Sequence, residues 1–461
     1  MSSTTTTTER KRRRKRKRVT NPNPSPVPLQ PEELDLISPL PDNVLHSILS
    51  HLPIKDSART SILSSRWRHL WKAAPLRLDV PIDQYTASSI FDSQSHHGPI
   101  ESLSLSRSTA PALDRFVQSA VQRGIRELTI VYSYQVAFTY ELPRFLLSCN
   151  SLRQLSLVGC QFPKTVLPSI FPNLTELNLN TVPVHNDMVQ ILLSKCRSLE
   201  TLRLIASRGS PLISISSLRL RKLVFDWGST YFNVKLIAEL IIKDAPNLES
   251  LMLGECETRD CNVKVLDAPK LQLLGFLCVA FKSLQLGGTL LQQQPASVIQ
   301  VNAMQCQMTM LSSVKTLAIK MEHYFDKTIL DLLRCFPCLE NLYILKYGGS
   351  CYKNYLGKGI WDEHGFLSFL DHLKTVTVKG FYGNRSDVEL VRYLVVHGKV
   401  LRKTTLLCSK AFSEKFVEAK KRQFCIKKRA SSDLELFFLR DSNSNVHFSL
   451  WNELISFEKA R

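Results

Sequence analysis

The chain has 461 residues, 44% of them apolar and 22% charged, with 60 Lys and Arg against 40 Asp and Glu for a formal net charge of +20. This composition supports a large packed core and excludes a chain that is disordered throughout, and the longest near-continuous apolar run, residues 273–281, is far too short to cross a bilayer. The start of the chain is polar and then basic, without a signal-peptide stretch, and the 12 cysteines are too few for a disulfide scaffold, so they read as reduced thiols of the cytosol or nucleus.

Residues 1–9 are a Ser/Thr run. Arg10, Lys11, Arg12, Arg13, Arg14, Lys15, Arg16, Lys17 and Arg18 follow as an unbroken block of cations. Without that block 51 cations remain against 40 anions, so the body keeps an excess of +11. Like charges in such a run repel and hold it solvated. Asn21-Pro22-Asn23-Pro24-Ser25-Pro26-Val27-Pro28 then reads as an extended, proline-spaced linker. Residues 1–33 are thus predicted to form a disordered tail. Three roles fit the basic block: a nuclear-import signal, a nucleic-acid arm or a solubilising tail. Import is the favoured functional role, and nucleic acid ranks last because the block has no aromatic residue for base stacking.

The next segment is helical by pattern. Pro41 suits a first helical position and Asp42 the positive end of the helix dipole. Val44, Leu45, Ile48, Leu49 and Leu52 fall on one face, and Pro53 ends the helix. A second helix fits residues 55–63, with Asp56 in its first turn and Ala58, Ile62 and Leu63 apolar. Ser64 or Ser65 caps a third, in which Trp67 and Trp71 are four apart and share a face. Three short helices in about forty residues rarely hold together alone, so this unit requires a partner or a neighbouring domain.

These residues resemble the F-box of plant F-box proteins over residues 34–78. The likeness lies in Asp35-Leu36-Ile37-Ser38-x-Leu40-Pro41-Asp42, Ile48-Leu49-Ser50-x-Leu52-Pro53, Arg59-Thr60-Ser61-x-Leu63-Ser64 and Arg66-Trp67-Arg68-x-Leu70-Trp71. Ile54 stands where the family often has a polar capping residue and Ser65 where it often has Lys; neither departure touches the apolar positions. The resemblance implies that Leu40, Pro41, Val44, Leu45, Ile48, Leu49, Pro53, Ala58, Ile62 and Trp67 form or support a face that docks a Skp1-like adaptor, and through it a cullin scaffold.

From Ile100 onward the pattern L-x-x-L-x-L, with other aliphatics or Phe allowed, recurs eleven times, from Ile100/Leu103/Leu105 to Leu373/Val376/Val378. Most spacings are 21 to 28 residues, inside the leucine-rich-repeat period; the two exceptions are 43, read as hiding a degenerate repeat, and 34, read as an insertion. Period-two alternation makes each x-L-x-L a short strand with one buried face, and parallel stacking of such strands builds an arc. Helix-like stretches such as residues 188–193 and 329–333 precede many strands. Pro172, Pro246, Pro269 and Pro337 each end one such stretch and start a turn. On the concave side the outward positions include Glu176, Asn178, Arg203, Asp226, Ser250, Met252, Leu273, Gly275 and Leu277. Of these, Arg203, Asp226, Met252, Leu273 and Leu277 are the candidate target-binding residues. Met252, Leu273 and Leu277 form an apolar patch that is either a binding surface or the floor beneath an overlying loop.

After residue 373 a strand leads to Gly380-Phe381-Tyr382-Gly383, a helix with Val388, Leu390, Val391, Leu394 and Val395 apolar, a strand at 400–406 and a basic helix at 413–422. This order resembles the FBD segment of plant F-box/leucine-rich-repeat proteins, with Leu434-Glu435-Leu436 similar to a variant of it. It reads as a cap that hides the apolar edge of the last repeat.

Catalytic signatures are sparse. G-x-S-x-G, H-E-x-x-H and G-x-x-x-x-G-K-[ST] are absent. Cys335-Phe336-Pro337-Cys338 has no second cysteine pair at zinc spacing and coincides with a repeat turn, and His96-His97 reads as a solvated loop. No metal or cofactor is expected. The fold class is therefore α/β: a three-helix F-box (34–80), a leucine-rich-repeat solenoid of parallel strands (81–365) and an α+β FBD-like cap (366–461). The resemblance implies a non-enzymatic substrate receptor of an SCF-type ubiquitin ligase, with an unknown target protein on the repeats. The lack of a long apolar run predicts no membrane partner, and the location expected is nucleus or cytoplasm, with the nucleus favoured by the basic tail. The alternatives are a ligase-independent repeat scaffold and a nucleic-acid-associated protein acting through the basic tail.

Overall fold

The computed structural model describes residues 35–91, 96–132, 140–163, 170–206, 208–227, 238–254, 261–278, 282–293, 299–303, 312–321, 332–346, 368–408, 413–424 and 426–440. The basic block and its linker lie outside these residues.

Three short helices open the described chain: α1 (Asp42–His51), α2 (Ile54–Arg59, continued by a 3-10 turn at Thr60–Ile62) and α3 (Ser65–Ala73). Pro41 is the N-cap of α1 rather than its first residue, and α2 starts one residue earlier than its pattern indicates. Ser64 caps α3, its Oγ accepting from the Trp67 N–H at 3.3 Å. Arg66 ties the leading turn to α3 by donating to Asp42 Oδ1 at 2.7 Å and to the Ser38 carbonyl at 2.6 Å.

The repeats begin earlier than the leucine pattern shows. β1 (Leu76–Ile82) follows α3 after two residues and already pairs, parallel, with β2 (Ile100–Ser106). β3 (Glu127–Val131), β4 (Gln154–Val158) and β5 (Glu176–Asn180) continue the same sheet, backed by α4 (Gln84–Phe91), α5 (Ala110–Gln122) and α6 (Arg144–Leu147). The α5 sequence places Leu113, Phe116, Val117 and Ala120 on one buried face, as a helix over a sheet requires. After β6 (Pro183–Val184) and α7 (Asn186–Lys195), the convex side changes from helix to strand.

In the following stretch the concave strands are β7 (Thr201–Ile205), β10 (Lys222–Asp226), β12 (Ser250–Leu253) and β14 (Leu273–Cys278). They alternate in the chain with β8 (Arg208–Gly209), β9 (Leu212–Ser216), β11 (Glu239–Asp244), β13 (Asn262–Val265) and β15 (Ser283–Leu286). The last four of these form a second parallel sheet, extended antiparallel by β16 (Thr289–Gln293) and β17 (Ile299–Ala303). The 43-residue gap in the leucine pattern is therefore no hidden repeat: β14 pairs directly with β18 (Thr316–Met321), and the gap holds this hairpin extension. β19 (Asn341–Lys346), β20 (Thr375–Lys379), β21 (Lys403–Cys408) and β22 (Glu435–Arg440) complete a concave sheet of 14 strands, parallel throughout.

One backbone device sets the step. Most repeats offer a carbonyl that accepts two successive N–H groups from the next, as Arg153 does from Thr175 at 2.8 Å and Glu176 at 3.1 Å, and Gln272 from Lys315 at 2.9 Å and Thr316 at 3.0 Å. The Pro-containing turns precede it. Leu174, Leu248 and Leu271 each donate to the carbonyl three residues back, which places the first leucine of the motif under the strand. The pattern leucines then line one continuous core.

Among the described residues, the C-terminal segment extends the sheet rather than lying across the last repeat as a lid. β21 and β22 lengthen the sheet, and the helix Arg385–His397 covers its convex side, so the edge moves outward to β22, where Phe437 and Leu439 are exposed. β21 begins three residues later than the alternation indicates. Asp387 anchors the segment: it pairs with the buried Lys346 of β19 and accepts from the Tyr382 and Gly383 N–H groups at 2.9 and 3.0 Å. Cys261 is disulfide-bonded, contrary to the expectation of reduced thiols; Cys149, Cys160, Cys196, Cys335, Cys338 and Cys408 are free.

Candidate functional site

The three N-terminal helices have a small core of their own. Leu45, Leu49, Leu70 and Ala74 are buried, with Leu40 and Trp67 packed against them. Leu45 and Leu49 therefore support the unit from inside. What it presents to solvent is an apolar face: Pro41, Val44, Ile48, Leu52, Pro53, Ile62 and Leu63, with Leu36 and Ile37 ahead of it. Ile62 is 82% and Leu63 65% exposed, far more than a unit of this size leaves open when it is complete. Ala58, like Leu40 and Trp67, is half-buried. Leu36, Ile37, Leu52 and Leu63 were not among the predicted docking residues; the signal for Leu52 was its place one turn beyond Ile48 on the same helical face.

This unit is seated firmly on the repeats. Trp71 leaves the face it shares with Trp67 and packs on the main core, meeting the His96 ring edge-on at 5.2 Å. His96 is not in a solvated loop. It is buried, and its Nδ1 lies 2.8 Å from Arg123 Nη2, so the neutral imidazole accepts from the guanidinium. Arg123 also donates to the Gly98 carbonyl through Nε at 2.9 Å and Nη2 at 2.6 Å, while the His97 and Gly98 N–H groups donate to the Lys72 carbonyl at 3.0 Å. A Cβ on Gly98 would stand 2.3 Å from the Ala74 carbonyl oxygen, so only glycine fits the seam between α3 and the sheet.

The concave face divides into zones. Across β1 to β5 it is a polar cleft of about 270 Å³. Ser102, Ser104, Thr129, Ser156 and Asn178 form its floor, with Arg77, Asp79, Glu127 and Glu176 around them. Arg77 bridges Asp79 at 3.4 Å, Glu101 at 3.6 Å and Glu127 at 2.9 Å, and Glu176 pairs with Arg203 of β7. Asn178 donates to Ser156 Oγ at 3.1 Å, and its Oδ1 has no partner among the described residues. Predicted residue Arg203 stands at this margin. Asp226 lies farther along, its side chain packed where a Cβ on Gly254 would fall.

The middle zone is apolar and closed. Val224, Met252, Leu273, Phe276, Ala318 and Leu345 are buried together, so Met252 and Leu273 are not solvent-facing residues open to a target. Leu277 is corrected more sharply: it belongs to the main core. β14 carries one extra residue between Leu274, opposite Leu317, and Leu277, opposite Ile319, with Phe276 at φ +49°. This bulge turns Phe276 to the concave side and gives Leu277 the core slot that the leucine pattern assigns to Phe276. Beyond it the face becomes polar again, with Thr375 Oγ1 donating to Asn341 Oδ1 at 2.8 Å and Asn341 Nδ2 donating to Thr316 Oγ1 at 3.2 Å.

Among the described residues no group of three or more His, Cys, Asp or Glu side chains is placed to hold a metal, and no helix is long and apolar enough to cross a membrane. Burial raises the thiols of Cys160 and Cys196 to about 12, which leaves them protonated and inert as nucleophiles at neutral pH.

Comparison with known proteins follows these zones. Residues 37–79 match the F-box domain, 113–344 the leucine-rich repeats of the FBD-associated F-box protein At5g56370, and 366–406 the FBD segment. The chain is 27% identical over 446 residues to the F-box/FBD/LRR-repeat protein At3g52680 of Arabidopsis thaliana, covering 88% of this chain and 94% of that one. It is 25% identical over 426 residues to the F-box/FBD/LRR-repeat protein At1g78750 of the same plant, covering 81% and 90%. To the FBD-associated F-box protein At5g56370, also of Arabidopsis thaliana, it is 32% identical over 247 residues, covering 48% and 55%.

Proposed function

Because the chain belongs to the plant FBD-type F-box/leucine-rich-repeat family, we propose that it is the substrate-recognition subunit of an SCF-type ubiquitin ligase. The exposed apolar face of α1 and α2 docks a Skp1-like adaptor, and through it a cullin scaffold, while the concave face of the repeats holds a target protein. The observation that carries this reading is the large apolar side chains left open on a helical unit whose own core is already filled. An interface core of aliphatics that exclude water is what such a face supplies. The chain itself does no chemistry in this scheme. It brings a target beside a ubiquitin-charged enzyme, and the rate gain is proximity. The seam at Trp71, His96, Arg123 and Gly98 fixes the direction in which the target is offered.

Adaptor binding tests the reading. The double variant Ile48→Asp/Ile62→Asp changes exposed positions only, so it is expected to keep the circular dichroism of the wild type and to lose about 100-fold or more in adaptor affinity. A folded wild type that does not bind, or a variant that binds equally well, overturns the reading. In the same scheme residues 10–18 act as a nuclear-import signal. Replacing them with Ser should move a fluorescent fusion out of the nucleus; unchanged nuclear accumulation would remove that role.

A further inference from the structure

We infer that the polar cleft across β1 to β5 is a docking site for an extended basic segment, and that its occupant is the chain's own block of nine cations at residues 10–18. Charge is the first argument. Asp79, Glu101, Glu127 and Glu176 bring four carboxylates to the cleft and its margin against two guanidiniums, Arg77 and Arg203. This local acidic excess stands out in a chain of net charge +20. Each carboxylate is held by one cation and keeps lone pairs for a second.

The floor is the second argument. Its side chains are short and polar, Ser102 and Ser104 are more than nine-tenths buried, and the Asn178 amide has an acceptor atom with no partner among the described residues. An extended chain can lie over such a floor with its side chains reaching the rim. Long target side chains would not be needed to fill a hollow, as they would over an apolar pocket.

Reach is the third argument. Residues 19–34, sixteen of them, separate the cations from Asp35. Extended, they span about 50 Å. The leading turn is pinned beside the start of α3 through Arg66 and Ser38, and α3 runs directly into β1, which supplies Arg77 and Asp79. That path is on the order of 30 Å. The tail is therefore long enough, and tethering gives it a millimolar-range effective concentration at the cleft. A docked tail is withheld from other partners and occupies surface that a target would use. The inference does not depend on adaptor docking.

The test uses full-length proteins and a fluorescent peptide of residues 9–19, read by anisotropy at low and moderate salt. A variant with residues 10–18 replaced by Ser should bind the peptide, with affinity falling as salt rises. Wild type should bind it at least about tenfold more weakly, because its own tail competes. Adding Glu127→Gln/Glu176→Gln to the Ser variant should abolish binding. Since those changes also unpair Arg77 and Arg203, Ser156→Arg serves as a second variant; it removes no partner of any ion pair and should also abolish binding. Adaptor binding and circular dichroism should be unchanged in all of them, which separates this test from that of the receptor reading. Equal peptide binding by wild type and the Ser variant would show that the cleft takes basic segments of other proteins and not this tail, and would overturn the inference. So would no binding to the Ser variant, or binding that survives Ser156→Arg.

Discussion

His96 lies edge-on to Trp71 and accepts from Arg123, and burial, followed by the adjacent guanidinium, lowers its pKa from 6.5 to about 4. The unfolded chain therefore takes up this proton first as the medium is acidified. The stability contributed by neutral His96 is complete above about pH 6.5 and is lost as pH falls toward about 4. His96→Gln keeps an acceptor for Arg123 without titrating. The thermal midpoint of wild type should fall more between pH 7 and pH 5 than that of His96→Gln, and equal slopes would count against the assignment. Nothing in Ser95-His96-His97-Gly98 announces this role, because the partner that buries the ring comes from 27 residues away. The docking face was more open to a sequence reading. Period-3.6 spacing put Leu45 and Leu49 on the same stripe as Val44 and Ile48, but only packing against Leu70 and Ala74 separates the inside pair from the outside pair.

At the scale of the element, the concave strands were legible and the convex ones were not. L-x-x-L-x-L encodes a buried period-two face wherever it occurs, so it locates a concave strand without reference to what lies behind it. The convex element is free to differ, and at α7 it changes type. β9 is the free edge of the second sheet, and α7 seals it with two amides: Asn186 Oδ1 accepts from the Ser214 N–H at 2.9 Å, and Gln190 Nε2 donates to the Ser214 carbonyl at 2.5 Å. These side chains stand in for the strand that would otherwise pair there. Asn186→Ala should leave the helix intact yet raise hydrogen exchange at the Ser214 amide by about tenfold, the equivalent of one lost hydrogen bond. Unchanged protection would mean that the edge is covered by other groups. The bulge in β14 is the other illegible feature. Phe276 and Leu277 are both acceptable core residues, and the extra residue is fixed by pairing with β18, whose offset drops from 43 positions at Leu274–Leu317 to 42 at Leu277–Ile319.

Across the whole molecule, the order of helical unit, repeat array and C-terminal segment followed from pattern and resemblance, whereas the unity of the sheet did not. The change of pattern at the F-box and at the FBD segment encourages a reading as separate bodies, yet one sheet runs from β1, three residues beyond Ala73, to β22. The change of convex element at α7 has a geometric consequence for that sheet. Neighbouring strands are about 4.8 Å apart, and packed helices about 8–10 Å. Where helices back the strands, the outer layer covers nearly twice the arc length of the inner one at each step, and the stack must bend. From β9 to β15 the outer layer consists of strands as well, both layers advance equally, and the source of bending disappears. The radius of curvature should therefore be short in the N-terminal limb, where the polar cleft lies, and long through the crown, where the apolar cluster is closed over. Such a horseshoe with a straightened crown holds its two ends farther apart than an evenly bent one of the same strand number, and any molecule that touches both must be correspondingly long.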